Sequence, residues 1–147
     1  MPATLLNNSS SETNSFIIST DKQLLQPVFI HQFISASYCA KGRTMEAIMN
    51  CIEHSLNFGV YVNGKQIGYA RVVTDYTVFA YLMDLFIDEA YRGKGYSKQL
   101  VSYILEHPEL KQVTTWRLAT TDAHGLYEKF GFRALSKPEN MMERIDK

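Results

Sequence analysis

Alternating apolar and polar residues surround an Asn-Gly pair in the middle of the chain. Two runs rich in β-branched and aromatic residues, 58–62 and 65–73, flank Asn63 and Gly64. Asn-Gly between two such runs predicts a two-residue type I′ β-hairpin, because both central residues of that turn need a positive φ. A third apolar run, 78–87, follows a second turn. The pattern therefore predicts an antiparallel meander of three strands.

Apolar residues at helical spacing mark four further segments. Thr44 is suited to be the N-cap of the second one, since its hydroxyl can accept a hydrogen bond from the first turn. Pro108 ends the third, and Gly131 follows the fourth as a C′ residue. The predicted helices span residues 22–34, 44–56, 96–107 and 123–130.

Four more segments have strand-like composition, which with the meander predicts a sheet of six to seven strands. The last two are predicted to close the fold as a hairpin. Strand, helix and strand follow one another across 78–119, and a right-handed crossover makes those two strands parallel. Ligands of such sheets bind at the carboxyl ends of the strands, beside helix N-termini. The additional strands span residues 16–19, 113–119, 132–135 and 141–145.

A turn with two glycines and flanking cations, Arg92-Gly93-Lys94-Gly95, leads into the third helix. The first N–H groups of a helix have no partner within it and lie at the positive end of its dipole, and glycines let a ligand approach the backbone. We therefore predict that the amides of residues 93–97 bind an anion such as a phosphate. The alternative is an ordinary strand-to-helix turn with surface cations. The spacing matches neither the P-loop nor the dinucleotide fingerprint.

Composition and charge exclude several classes of protein. The 147 residues suit one domain, predicted over residues 16–147 after a disordered leader, residues 1–15, rich in Asn, Ser and Thr. Lys plus Arg equals Asp plus Glu at 15 each, so no global field attracts nucleic acid or an anionic membrane. Cys39 and Cys51 lack the spacing of a metal site, and the longest apolar run, 78–83, is too short to cross a bilayer. We expect a cytoplasmic protein without a metal.

Residues 92–97, Arg-Gly-Lys-Gly-Tyr-Ser, and residues 123–132, which include Leu126-Tyr127 and Gly131-Phe132, form two motifs. Both resemble motifs of the GNAT superfamily of acyl-CoA-dependent N-acetyltransferases. The coenzyme motif of that family, Arg/Gln-x-x-Gly-x-Gly/Ala, is matched by Arg92 and Gly95, with Ser97 in place of the last small residue. The later motif, Asn-x-x-Ala-x-x-Leu-Tyr-x-x-x-Gly-Phe, is matched over residues 123–132, with Thr120 where Asn is usual. The order of the predicted elements is similar to that of the family as well.

The resemblance implies a fold and a coenzyme. The fold is an α/β domain with a mixed, mostly antiparallel twisted sheet and about four helices, in which two parallel strands splay apart. The pantetheine arm of acetyl-CoA would pair with the backbone of the first of these strands, and the pyrophosphate with the amides of the glycine turn. The resemblance thus assigns coenzyme binding to Leu85, Phe86, Ile87, Arg92, Gly93, Lys94, Gly95, Tyr96, Ser97 and Thr120.

The resemblance also implies candidate catalytic residues. Tyr127 holds the position of the acid that protonates the leaving thiolate. Asp84, next to the predicted thioester site, is either the base that deprotonates the amine or a residue that faces solvent or caps the strand. His124, one turn before Tyr127, is either part of the site or an exposed residue at the helix start. Arg43 is either a ligand for a substrate carboxylate or a surface arginine.

The implied function is acetyl transfer from acetyl-CoA to a primary amine, by direct attack in a ternary complex. The short, neutral chain favours a small-molecule acceptor, and we expect a monomer or a homodimer. Two alternatives stay open. A non-catalytic acyl-CoA-binding regulatory module is favoured by the departures at Ser97 and Thr120, and a protein acetyltransferase would need an open acceptor groove.

Overall fold

The computed structural model describes residues 4–7, 15–37 and 42–146. Its six strands form one mixed sheet in chain order, in which every neighbouring pair is antiparallel except the last, β5 and β6. The predicted mixed, mostly antiparallel sheet with one parallel pair is therefore confirmed. The strands are β1 (Thr4–Asn7), β2 (Ser15–Ser19), β3 (Leu56–Val62), β4 (Lys65–Thr74), β5 (Phe79–Ile87) and β6 (Thr115–Leu118).

In the described part of the chain, four α-helices cover the two faces of the sheet. Leu100 and Ile104 of the third helix lie in an apolar cluster on one face, and Ile30 and Ile48 of the first two helices lie in a second cluster. The adjacent strand residues Phe86 and Ile87 belong to different clusters, as the alternation of side chains along a strand requires. The helices are α1 (Pro27–Ser35), α2 (Met45–Glu53), α3 (Tyr96–Leu105) and α4 (His124–Glu128).

The local signals that specify turns and caps are confirmed. Asn63 and Gly64 join β3 to β4 with φ values of 50° and 79°. Thr44 precedes α2, and its hydroxyl accepts a hydrogen bond of 3.1 Å from the Ala47 amide. Gly131 follows α4 with φ 90°, the left-handed conformation expected of a C′ residue.

The parallel strands β5 and β6 pair over four residues and then separate. The pairing runs from Phe79 opposite Thr115 to Leu82 opposite Leu118, where β6 ends. Strand β5 continues to Ile87, and over this second half it pairs only with β4 in the described part of the chain. The splayed pair that the resemblance implied is therefore present.

A β-bulge interrupts the pairing of β4 and β5 where β5 leaves β6. Met83 lies opposite Arg71 and Phe86 opposite Tyr69, so two residues of β5 face one residue of β4. The first of the two is Asp84, whose φ of 55° is in the left-handed region. Bulges re-aim side chains and increase the local twist, and they are frequent beside active sites.

The predicted closing hairpin of residues 132–135 and 141–145 is wrong. Neither segment forms a strand, and a short 3-10 turn, Pro138–Asn140, lies between them. The apolar residues that suggested a strand are exposed instead, Met142 to 94% and Ile145 to 75%.

Two other boundaries differ from prediction. The helix predicted from residue 22 starts at Pro27, because the residue before a proline is disfavoured in the α region, and Gln26 has φ −110° and ψ 89°. A 3-10 turn occupies residues 22–24. Strand β1 lies inside the predicted disordered leader and pairs with β2, so the leader prediction does not hold for residues 4–7. Residues 1–3 and 8–14 lie outside the described residues, and the domain boundary stays a prediction.

Candidate active site

The glycine turn leaves the start of α3 without a side-chain cap. Gly93 and Gly95 have φ values of 79° and 82°, and Gly95 is the N-cap of α3. The first hydrogen bond within the helix runs from the Gln99 amide to the Gly95 carbonyl, 3.1 Å. The amides of residues 96–98 precede it, and no side chain at the N-cap accepts from them. The turn therefore presents backbone donors at the positive end of a helix, as predicted.

Cations around the turn have two different roles. The Arg92 Nε donates to the carbonyl of Ile87, 3.0 Å away, and so joins the turn to the end of β5. Lys94 is exposed, and its Nζ lies 5.8 Å from the centre of the Tyr91 ring. Arg92 thus fixes the turn, whereas Lys94 adds positive charge near the amides. The side chain of Tyr96 stacks on Phe16 of β2, with ring centres 4.6 Å apart.

The second half of β5 is held by its side chains while its edge on the β6 side stays open. Phe86 is buried and stacks on Phe33 of α1, with ring centres 3.9 Å apart. Ile87 is buried in the opposite cluster, and Leu85 packs against that cluster. The backbone of these residues is therefore fixed next to the gap between the two parallel strands. The predicted pantetheine strand and phosphate turn are consecutive and joined by Arg92.

The side chain of Asp84 is largely buried and binds two arginines. Its Oδ2 accepts from the Arg71 Nε at 2.6 Å and from the Arg43 Nη1 at 2.8 Å, and the Asp84 side chain is 9% exposed. The Arg71 Nη1 donates to the hydroxyl of Ser55, 3.1 Å away. A solvent-facing Asp84, one of the alternatives drawn from the sequence, is thereby excluded. The contact that fixes Arg43 is an ion pair to Asp84, and a role toward substrate stays a prediction.

Tyr127 lines a cavity of about 830 Å³ beside β6. Its side chain is buried, and its ring lies edge-on to that of Phe132, with centres 5.9 Å apart. Burial, and secondarily the charge of Asp122, raises the pKa of Tyr127 to about 12. The phenol therefore keeps its proton at all physiological pH values. Tyr127 and Leu85 belong to the same apolar cluster, which links the cavity to β5.

Thr120 and His124 line the same cavity as Tyr127. The Thr120 hydroxyl accepts a hydrogen bond of 3.0 Å from the Ala123 amide, immediately before α4. Thr120 thus stabilises the helix start at the position where the family usually has Asn, and its hydroxyl hydrogen is still available as a donor. His124 is exposed.

The buried Arg71 is a site residue that sequence reasoning missed. It lies on β4 between Ala70 and Val72, which are both fully buried, so a charged residue interrupts a run of core positions. That interruption was the available signal, because a buried charge requires a partner. The partner itself, Asp84, is thirteen residues away and depends on the bulge. Residues 38–41, in the predicted link between the first two helices, lie outside the described residues.

The described residues contain no group of three or more His, Cys, Asp or Glu side chains that could hold a metal ion. No helix among them is long and apolar enough to cross a membrane. The two parallel strands splay apart next to a helix start that follows a glycine turn and has no side-chain cap. Such an arrangement defines a class of site that suits an elongated ligand with an anionic group.

Comparisons with known proteins identify the family. The sequence model of the family described as Acetyltransferase (GNAT) domain matches residues 53–134. A crystal structure of a GNAT-family protein from Xanthomonas campestris pv. campestris is 42% identical, with a TM-score of 0.87, over 89% of this chain and 93% of that one. An acetyltransferase-like protein of Gibberella zeae is 28% identical over 78% of this chain and 76% of its own length. The chain therefore belongs to the GNAT acetyltransferase family.

The fold is also shared with a more distant structure. A predicted acetyltransferase from Clostridium acetobutylicum, described with acetyl-CoA, has a TM-score of 0.67 and 13% identity over 90% of this chain and 96% of that one. At that identity the likeness concerns the fold alone. Family membership makes this protein a transferase, and acetyl-CoA is the co-substrate of GNAT acetyltransferases.

Proposed function

We propose that the protein transfers an acetyl group from acetyl-CoA to the primary amine of a small molecule, by direct attack in a ternary complex. The observation that carries this proposal is the open edge of β5, which leads directly to the uncapped amides of α3. In this proposal, the arm of acetyl-CoA that carries the thioester binds along the edge of β5, and the pyrophosphate binds the amides of α3. The Clostridium acetobutylicum protein, which shares the fold and is described with acetyl-CoA, supports the choice of coenzyme.

Coenzyme binding is proposed to use backbone groups more than side chains. The pyrophosphate accepts hydrogen bonds from amides within residues 93–97, and Ser97 adds a hydroxyl donor. The pantetheine amides pair with the open edge of Leu85, Phe86 and Ile87, as an added strand would. A strand N–H near Phe86 or Ile87 then donates to the thioester carbonyl and stabilises the charge that develops on its oxygen.

Tyr127 is proposed to donate a hydrogen bond to the leaving sulfur. Its raised pKa keeps it neutral, as a donor must be. Complete transfer of its proton to a thiolate with an ordinary pKa of about 8.5 would be uphill. Tyr127 therefore stabilises the negative charge while the carbon–sulfur bond breaks.

The geometry favours a positioning role for Asp84 over the role of base. Two guanidinium groups donate to the same carboxylate oxygen, Oδ2, so the carboxylate is held by Arg43 and Arg71. We propose that this ion pair fixes the bulge and thereby the direction of the amides that follow it. The acceptor amine, whose pKa is about 10.4 for a lysine-like group, then loses its proton to water.

A panel of small amines, assayed by release of the CoA thiol, tests the proposal, with acetyl-CoA binding measured separately by calorimetry. We expect micromolar binding and turnover of at least one amine. Binding without turnover on any amine or peptide would favour the regulatory module, and turnover of peptides alone would favour a protein acetyltransferase. Absence of acetyl-CoA binding by folded protein would overturn the proposal. A cytoplasmic location stays a prediction.

A further inference from the structure

The ion-pair cluster around Asp84 has two positive charges and one negative charge. The side chains of Arg71 and Asp84 are 8% and 9% exposed, so these two residues form a buried pair, with the Arg71 Nε 2.6 Å from the Asp84 Oδ2. Arg43 donates to the same oxygen from the more exposed side of the cluster. Among the described residues, no other carboxylate forms an ion pair with either arginine. Arg71 already neutralises Asp84, and Arg43 is therefore a surplus cation.

Most of the N–H groups of Arg43 have no acceptor in the described part of the chain. A guanidinium has five N–H groups, and the hydrogen bond to Asp84 uses one of them, on Nη1. No described residue accepts a hydrogen bond from the Nε or the Nη2 of Arg43. These two atoms form the edge of the guanidinium whose parallel N–H bonds match a carboxylate or a phosphate. Only 20% of the side chain is exposed, and partial desolvation strengthens a hydrogen bond to an anion.

The surplus cation lies a short distance from the proposed thioester site. Asp84, which holds Arg43, is followed on β5 by Phe86 and Ile87 at two and three positions. A strand N–H near these two residues is proposed to bind the thioester carbonyl, so the two sites are about 7–10 Å apart along the strand. An amine that attacks the thioester and an anionic group that binds Arg43 can therefore belong to one small molecule.

The sheet face next to the cluster leaves room for such a molecule. Residues opposite each other in a ladder share a face, so Met83 lies on the face of Arg71, and Tyr81 lies on the face of Val73. Arg71 and Val73 are two positions apart on β4, which places all four residues on one face. Tyr81 and Met83 are half-buried, and Val73 is 41% exposed. The described residues therefore cover this part of the face only in part.

We propose that Arg43 binds an anionic group of the acceptor, so that the substrate is an amine that also carries a carboxylate or a phosphate. This inference rests on the proposed function, because it concerns the acceptor of the same reaction. Arg43 is then a specificity-determining residue, and Asp84 fixes its position together with that of the bulge. A neutral amine of similar size lacks the contact to Arg43 and is a poorer acceptor.

Matched pairs of amines test this inference. β-Alanine is compared with ethylamine, phenylalanine with phenethylamine, and phosphoethanolamine with ethanolamine, each assayed by release of the CoA thiol. In the wild type, kcat/KM should be at least about tenfold higher for the anionic member of at least one pair. Arg43→Gln should lower kcat/KM for that amine by about 10- to 100-fold and should change it less than about twofold for the neutral partner. A preference in the first two pairs alone would identify a carboxylate, and one in the third pair alone a phosphate; both support the inference.

Two further variants separate binding of the anion from a general effect of losing an arginine. Arg144→Gln removes an exposed arginine that is also paired with an aspartate, Asp146 at 2.7 Å, and should leave the preference in every pair unchanged. Arg43→Lys keeps the charge but not the two parallel N–H bonds, so it should reduce the preference several-fold. Both Arg43 variants leave Asp84 paired with Arg71, and we expect both to fold. An unchanged preference in either folded Arg43 variant would overturn the inference.

Binding measured without acetyl transfer distinguishes this inference from the proposed function. Calorimetry with protein saturated with CoA measures the affinity for the same six amines. The wild type should bind the anionic member of at least one pair at least about tenfold more tightly than Arg43→Gln does. Such binding without turnover of any amine would contradict the proposed function alone. Turnover with no preference for the anionic amines would overturn the inference and leave the proposed function in place, and failure of every anionic amine to bind would also overturn the inference.

Discussion

The two parallel strands differ in what lies beside their open edges. Beyond Leu82, β5 is open on a side that leads to the amides of the glycine turn, and the buried side chains of Phe86 and Ile87 hold it in place. The cavity beside β6 is lined by Tyr127 and Trp116. Strand β5 therefore suits a ligand with an anionic group, whereas the β6 side presents the phenol of Tyr127.

The two sides of the site are therefore expected to act on different steps. The surfaces proposed for the coenzyme lie on β5 and α3, whereas Tyr127 lies beside β6. Changes on the β6 side should lower turnover and leave coenzyme affinity nearly unchanged.

On the β5 side, Asp84→Asn should have the largest effect on the stability of the protein. It leaves the buried Arg71, and Arg43 beside it, without their shared carboxylate, which we expect to cost about 3 kcal/mol of the free energy of unfolding. Chemical denaturation measures this loss. Glu53→Gln, which breaks the exposed ion pair to Lys22, is the control and should cost less than about 1 kcal/mol.

The pH profile of the Asp84→Asn variant separates positioning from base catalysis. If Asp84 positions the bulge, the variant has a lower kcat than the wild type. Its kcat still rises with pH at the same slope as in the wild type, because that rise reflects deprotonation of the acceptor amine. A profile whose pH-dependent limb disappears in this variant would instead identify Asp84 as the base.

Tyr127→Phe should have the next largest effect and should act on the β6 side alone. Loss of the donor to the leaving sulfur should lower kcat by about 10²-fold, with acetyl-CoA affinity nearly unchanged. Since the pKa of Tyr127 is about 12, the wild-type and variant pH profiles should be parallel between pH 6 and 9. Tyr76→Phe, at an exposed tyrosine of the turn between β4 and β5, is the control. Equal turnover in Tyr127→Phe and wild type would remove Tyr127 from the mechanism.

Gly68→Ala should disturb β5 through its backbone. A Cβ at Gly68 would lie 2.9 Å from the Phe86 carbonyl oxygen and 2.6 Å from the Cδ1 of Ile87. The two strands must move apart, so we expect a loss of about 1–3 kcal/mol in the free energy of unfolding and weaker acetyl-CoA binding. Calorimetry and thermal unfolding measure both. Gly125→Ala, where a Cβ meets nothing within 4 Å, should leave both nearly unchanged.

Lowering the pH should have the smallest effect on stability, and this effect should not involve the open edge of either parallel strand. His107 packs against Phe58 of β3, two strands from β5, and burial lowers the pKa of its imidazole. The folded state therefore disfavours the protonated form. The stability from this group is complete above the ordinary pKa of about 6.5 and is lost as the pH falls below it.

The Tm of the wild type should therefore be lower at pH 5.5 than at pH 7.5. His107→Asn, which keeps an acceptor for the Glu109 amide, should show a smaller difference. An equal difference in both proteins would mean that another group controls the acid sensitivity.

The sequence predicted those parts of the fold that depend on local chemistry. Asn63-Gly64, the Thr44 cap and the glycine turn each act through their own backbone, so their positions could be read directly from the chain. The bulge at Asp84 could not, because it depends on how β4 and β5 align, and no residue type marks it. The contact between Arg71 and Asp84 follows from that alignment.

The closing segment shows a different limit of sequence reasoning. The apolar residues of 141–145 suggested a strand paired with 132–135, but neither segment forms a strand, and Met142 and Ile145 are exposed. Hydrophobic alternation indicates that a segment can form a strand, but it does not identify the partner of that strand.

Amide hydrogen exchange with and without acetyl-CoA is the most direct test of the central claim, that the coenzyme lies along β5 and on the turn before α3. Saturating acetyl-CoA should slow exchange at the amides of residues 85–87 and 93–98 and leave those of β2 and β3 unchanged. Tight binding with protection elsewhere, and none at these two segments, would contradict the claim.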